Sequence, residues 1–204
     1  MFETEVITFD TREECLAEQE AICQGLRNIG SGLYAMVYAT PDPAVVLKVI
    51  KYSDPGYMAY LEVMKRLGEQ MRYMPKILRV VEFRYRKDVL EEEPPIRGQL
   101  IWLEKLSTPR LTRYDGTGLE SYPGNDLLDP PVKRFVDKIK IIIRRIRQGE
   151  KVYLRPVHQD LIAMLELVLE VGKSSSSSGW SRLDLHSWNV MVRGKQFIIT
   201  DPLI

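Results

Sequence analysis

Strand-like and helix-like patterns are segregated along this chain, not alternated. Four short runs, LYAMVYAT, AVVLKVI, KILRVVEFRYR and RGQLIWLE, are dense in β-branched and aromatic residues and all lie at or before Glu104. A single helical segment, about Pro55 to Leu67, interrupts them. Beyond Glu104, the stretch TPRLTRYDGTGLESYPGNDLLDPP reads as a long loop, and two helical patterns follow it. In the first, Val132, Phe135, Val136, Ile139, Ile142, Ile143 and Ile146 share one side while Lys133, Lys140, Arg144 and Arg147 lie largely opposite. In the second, about Val157 to Val171, Leu161, Ile162, Leu165, Val168 and Leu169 repeat the period. Strands grouped with strands and helices with helices predict an α+β fold in two parts, β-rich over 1–104 and mostly helical over 105–204. At the front, Thr11 and Glu14 make a capping-box pair ahead of Cys15, Leu16, Ile22, Cys23 and Leu26, which predicts a helix up to about Leu26.

Composition removes several classes of function. A formal charge of +1 over 204 residues gives no electrostatic case for a nucleic-acid or membrane partner, so neither is expected. No apolar run reaches the length of about eighteen residues needed to span a bilayer. The opening MFETEVITFD also lacks the basic-then-apolar order of a signal peptide, so a cytoplasmic location is expected. Cys15 and Cys23 have no histidine cluster beside them and read as free, buried thiols.

Two stretches carry chemistry. In IGSGLYAMVY, Gly30 and Gly32 lie between a first strand and LYAMVYAT, and VVLKV with Lys48 follows in the next strand. Glycines let a backbone approach a ligand and aim N–H groups at an anion, and a neighbouring lysine adds a point charge. Taken alone, such a turn is equally the mark of a plain hairpin, and Lys48 of a solvated lysine. The second stretch, RLDLHSWNVMVRGKQFIITDP, places Asn189 five residues after Asp184 and ends an apolar strand at Asp201. One carboxylate can orient an attacking hydroxyl and accept its proton, while an amide oxygen and a second carboxylate hold Mg2+ against phosphates.

That stretch resembles the catalytic loop and metal-binding segment of the protein-kinase-like superfamily. DLHSWN with ITDP is less like eukaryotic protein kinases than like aminoglycoside-phosphotransferase-type enzymes and the early serine/threonine kinases of short-tailed bacteriophages. The resemblance covers roughly residues 28–202 in order. It implies a two-lobe kinase-like fold with a β-rich N-lobe and a truncated, mostly helical C-lobe, with ATP and Mg2+ bound between them. Gly30, Gly32 and Val37 match the glycine loop, with Ala35 in place of its third glycine. Val46 and Lys48 match the strand whose lysine meets the α- and β-phosphates. Glu62 would pair with Lys48, with Glu69 as the alternative. Leu103 would guard the pocket, the backbone from Glu104 to Leu106 would meet the adenine, and Met191 would lie beneath it. Asp184 takes the catalytic position, and Asn189 and Asp201 the metal positions. His186 stands where such kinases carry lysine, and reads equally as a phosphate contact or a brace for the loop. The sequence departs from the pattern before Asp184, where Arg182 and Leu183 replace a histidine-arginine pair.

The function implied is an ATP- and Mg2+-dependent serine/threonine protein kinase of phage type, acting on a protein substrate or host target protein in the host cytoplasm. Two other readings stay open: a non-catalytic kinase-like protein that binds a host factor, and a small-molecule phosphotransferase using the same Asp184, Asn189 and Asp201. The serines from Ser174 to Ser178 read as a polar linker or as autophosphorylation sites, with Lys173, Arg182 and Arg193 as compensating charge. Because so few residues follow Asp201, the apolar helix faces and QFIIT are expected to lack cover. A homodimer or a tight target complex, with Ile139, Ile142, Ile143 and Ile146 or the end of the chain in the contact, is therefore expected.

Overall fold

The computed structural model describes residues 4–32, 34–50, 54–68, 72–85, 96–108, 130–155, 159–175 and 189–201. They form an α+β protein: β1 (Thr4–Phe9), α1 (Arg12–Cys23), β2 (Arg27–Ser31), β3 (Ala35–Ala39), β4 (Val45–Ile50), α2 (Pro55–Leu67), β5 (Ile77–Tyr85), β6 (Ile96–Glu104), α3 (Pro130–Arg147), α4 (Gln159–Ser175), β7 (Val190–Arg193) and β8 (Gln196–Ile199). The chain divides into two units, Met1–Asp54 with Lys76–Lys105, and Pro55–Pro75 with Leu106–Ile204. The segment carrying α2, placed within 1–104 on sequence grounds, thus groups with the second unit. The reason is packing, since α2 lies against α4.

The first unit is a six-stranded sheet in the order β1-β5-β6-β4-β3-β2, antiparallel except where β1 runs parallel to β5. Strand alternation gives the sheet two different faces. On one, Leu47, Val49, Val81, Phe83 and Leu100 close on Cys15 of α1. The expected capping box starts that helix: Thr11 Oγ1 accepts from the Glu14 N–H at 3.2 Å, and the Glu14 carboxylate accepts from the Thr11 N–H at 3.3 Å. The helix stops at Cys23, three residues short of the expected Leu26, because Gly25 takes a φ of 79° and turns the chain. Burial pushes both thiols, Cys15 and Cys23, above their ordinary pKa, so they remain protonated free cysteines. At Gly98 on β6, Gln19 of α1 packs directly against the strand backbone. A Cβ there would collide with the Gln19 amide and come within 3.2 Å of the Ile50 carbonyl oxygen. Strand β1 was not read from the sequence; Val6 is exposed, and the strand is held mainly by its ladder to β5 and by Phe9 edge-on to Phe83 at 5.5 Å.

In the second unit, α2 is buried on most sides through Tyr57, Ala59, Tyr60, Leu61, Val63 and Met64. Its solvent stripe is marked by the Glu62–Arg66 ion pair. Helix α4 offers Leu161, Met164, Leu165, Val168 and Leu169 to the interior, and α3 packs on α4. Strands β7 and β8 form a hairpin, turned at Gly194. The expectation that the apolar face of α3 and the strand QFIIT stand uncovered is corrected. Ile139, Ile142, Ile143, Ile198 and Ile199 are buried within the chain itself, and Ile146 is half-buried. That face is therefore not available as the homodimer contact expected from sequence. Among the described residues, no helix is long and apolar enough to cross a membrane.

Candidate functional site

Each unit gathers part of the expected site. In the first, the register sets Gly30 opposite Val37, Val37 opposite Lys48, and Val46 opposite Leu103. Directly opposed residues of an antiparallel ladder project to the same face. Gly30, Val37 and Lys48 therefore form one cross-strand row, and Val46 with Leu103 the next row along. This is the face opposite α1, because Leu47 and Val49, which alternate with Val46 and Lys48, belong to the α1 core. Val46 and Leu103 are buried, and Lys48 and Val37 half-buried.

The glycines are not demanded by the fold. A Cβ on Gly30 would sit 3.8 Å from Val37 Cβ, and one on Gly32 3.9 Å from the Ala35 carbonyl oxygen, both ordinary contacts. Neither glycine has a positive φ. Their own N–H groups are engaged within the hairpin: Gly30 N–H donates to Asn28 Oδ1 at 3.1 Å and Gly32 N–H to Ala35 O at 2.8 Å. What the two positions offer is the absence of side-chain bulk beside the Lys48 row.

At the end of β6, backbone donors are already engaged. The Glu104 N–H donates to Lys76 O at 3.0 Å, the Glu104 carboxylate accepts from the Lys76 N–H at 2.7 Å, and the Lys105 N–H donates to Ala44 O at 2.7 Å. Of the three residues expected to meet an adenine, Leu106 is the one whose N–H has no partner among the described residues.

In the second unit, the Thr200 N–H donates to Asn189 O at 2.9 Å, which continues the ladder beyond Val190↔Ile199. Asn189 is thereby set opposite Thr200, next to Asp201, at the open end of the hairpin. Several groups fix that end. The Tyr60 hydroxyl donates to Ile199 O at 2.5 Å, and Tyr60 itself lies edge-on to Tyr57 at 6.0 Å. Burial, then Tyr57 and the Asp201 carboxylate, hold the Tyr60 phenol well above its usual pKa, so it remains a donor. The Ile199 N–H donates to Tyr73 O at 2.8 Å. Arg193 donates to Met74 O at 2.9 Å and Arg72 O at 3.2 Å, and Gln196 Nε2 to Arg72 O at 2.8 Å. Arg193, expected as compensating charge for phosphoserines, thus braces the hairpin. Val190 packs on Val132 and Val136, while Met191, half-buried, lies opposite Ile198.

Asn189 and Asp201 offer an amide oxygen and a carboxylate whose Oδ1 is buried. Such hard oxygen donors suit Mg2+, which keeps several waters and binds few protein groups. Among the described residues, no three His, Cys, Asp or Glu side chains gather as a metal cage. The Glu62 carboxylate, expected to pair with Lys48, is 3.0 Å from Arg66 Nε on the solvent stripe of α2. Asp184, His186 and Glu69 lie outside the described residues, as do Ser176, Ser177 and Ser178; Ser174 and Ser175 fall at the end of α4. Tyr60 escaped sequence reasoning because its hydrogen-bond target is 139 residues away. Its apolar spacing with Tyr57 and Met64 was the one signal available. No protein-family model matches this chain, and no match is found among curated proteins.

Proposed function

We propose that this protein is a kinase-like, ATP- and Mg2+-dependent phosphotransferase acting on serine or threonine hydroxyls of proteins, with host proteins of an infecting phage as acceptors. The observation that carries the reading is the grouping of Gly30, Val37, Lys48, Val46 and Leu103 on the sheet face opposite the one α1 packs on. Packing does not require glycine at positions 30 and 32, which favours a ligand-related reason for them.

In this reading, Lys48 contacts the α- and β-phosphates, and the Leu106 N–H is the donor offered to the adenine edge. Asn189 and Asp201 hold Mg2+, which when bound neutralises phosphate charge. Tyr60 and Arg193 keep the hairpin that carries both ligands in place. Asp184, by its position in the motif, orients the acceptor hydroxyl and takes its proton. The bond from the γ-phosphorus to the ADP oxygen breaks as the bond to the acceptor oxygen forms. The decisive experiment is incubation with γ-labelled ATP and Mg2+, alone and with bacterial lysate, read on a denaturing gel. Label should enter protein and vanish with Asp184→Asn. Nucleotide binding without transfer would replace this reading with a non-catalytic one, and label found only in small molecules would make the enzyme a small-molecule phosphotransferase.

A further inference from the structure

We propose that the solvent face of α3 is a docking surface for an acidic protein segment that carries an apolar residue. Seven Lys and Arg side chains from Lys133 to Arg147 stand exposed on this helix, and Asp137 is its single acid. The helix alone carries +6 in a chain whose total is +1, so the remainder carries −5. A helix kept only in water has no use for such segregation, because mixed signs solvate as well and add favourable pairs along the helix.

Helix stability does not explain the pattern either. Arg144, Arg145 and Arg147 occupy the last turn, where cations complement the helix dipole. Lys133 and Arg134 lie close to the opposite end, where cations oppose it, and no acid occupies the first turn. Arg134 with Lys138, and Lys140 with Arg144, place like charges one turn apart. One cation of the stripe, Arg145, has a carboxylate partner beyond the helix, Glu150 at 2.7 Å.

The exposed Ile141 decides the class of partner. It is 55 % exposed, whereas the other apolar side chains described on α3 are buried or half-buried. Its neighbours one turn either way are Asp137 and Lys138, then Arg144 and Arg145. An apolar point with Arg144 and Arg145 one turn away suits a protein interface, where arginine is enriched and grips carboxylates in bidentate fashion. Contacts to nucleic-acid phosphates gain nothing from isoleucine. A membrane would take the apolar face of an amphipathic helix, and here that face is packed inside the protein. From Lys133 to Arg147 the stripe runs about 21 Å, which an extended segment of about six or seven residues matches.

The test uses the full chain and a fluorescent peptide of about twelve residues, rich in Asp and Glu with one central Leu, followed by anisotropy. Binding should weaken with rising salt. The triple variant Lys140→Gln, Arg144→Gln, Arg147→Gln should lose about tenfold or more in affinity. Ile141→Ser should lose several-fold, and the same loss should follow when the peptide's Leu becomes Gly, with no further loss when both are changed. All these positions are exposed, so melting temperatures should match wild type and show that the fold is intact. The proposal is overturned if wild type ignores the peptide, if the triple variant binds as well as wild type, or if an oligonucleotide of equal charge binds more tightly and indifferently to Ile141→Ser.

Discussion

The two groups of candidate site residues are held by different kinds of structure. The Lys48 row is set by strand register: β2, β3 and β4 follow one another along the chain, and each side chain's direction follows from alternation. The Asn189–Asp201 pair depends on partners far away in sequence, with Tyr60 bonded to Ile199 across 139 residues and Arg193 to Arg72 across 121. A row made by register should tolerate changes to its outward side chains without loss of fold. A hairpin end made by distant donors should lose fold and function together.

The sharpest test of that contrast is Lys48→Met. Phosphotransfer should fall on the order of a hundredfold or more, while the protein still folds and unfolds in a single cooperative denaturant transition. Unfolding of this variant would show that the row is part of the core after all. Gly98→Ala, on the sheet's closed face, should destabilise by about 1–3 kcal/mol through overpacking against Gln19, read as a lowered urea midpoint with unchanged slope.

Tyr60→Phe keeps the ring and removes the bond to Ile199, leaving a buried carbonyl without its donor. A loss of about 1–2 kcal/mol should accompany weaker Mn2+ binding, followed by the metal's paramagnetic resonance with nucleotide present. The same variant has a signature in alkali. The folded state keeps the Tyr60 proton while the unfolded chain releases it from about pH 10, so wild-type stability falls as pH rises through that range. Tyr60→Phe should show a shallower fall, with Cys15 and Cys23 contributing equally to both proteins. The smallest effect is expected from Gly30→Ala with Gly32→Ala: stability within about 0.5 kcal/mol, and nucleotide affinity lower by several-fold in a titration. Equal affinity would assign the two glycines to an ordinary hairpin.

Legibility in the sequence followed the same division. The β3, β4, α2, β5 and β6 segments were readable because alternation and helical period are local properties, and Lys48 with Val46 came with them. The capping box of α1 was legible because Thr11 and Glu14 are three residues apart. Strand β1 was not, since TEVITF makes a strand only by lying beside β5. Likewise the burial of Ile142 and Ile199 depends on what other segments bring to them, and the tasks of Tyr60 and Arg193 depend on carbonyls that no local pattern announces.

The interleaving of the two units along the chain limits how the protein can be cut. Each unit is made of two separate stretches, so a scission between residues 104 and 105 would leave the C-terminal piece without α2. That piece would have no Tyr60 to hold Ile199 and no carbonyls at Arg72, Tyr73 and Met74 for Arg193, Ile199 and Gln196. Expressed apart, it should be insoluble or expanded. Mixed with the piece ending at residue 104, it should regain its hairpin by complementation, because that fragment carries the missing helix.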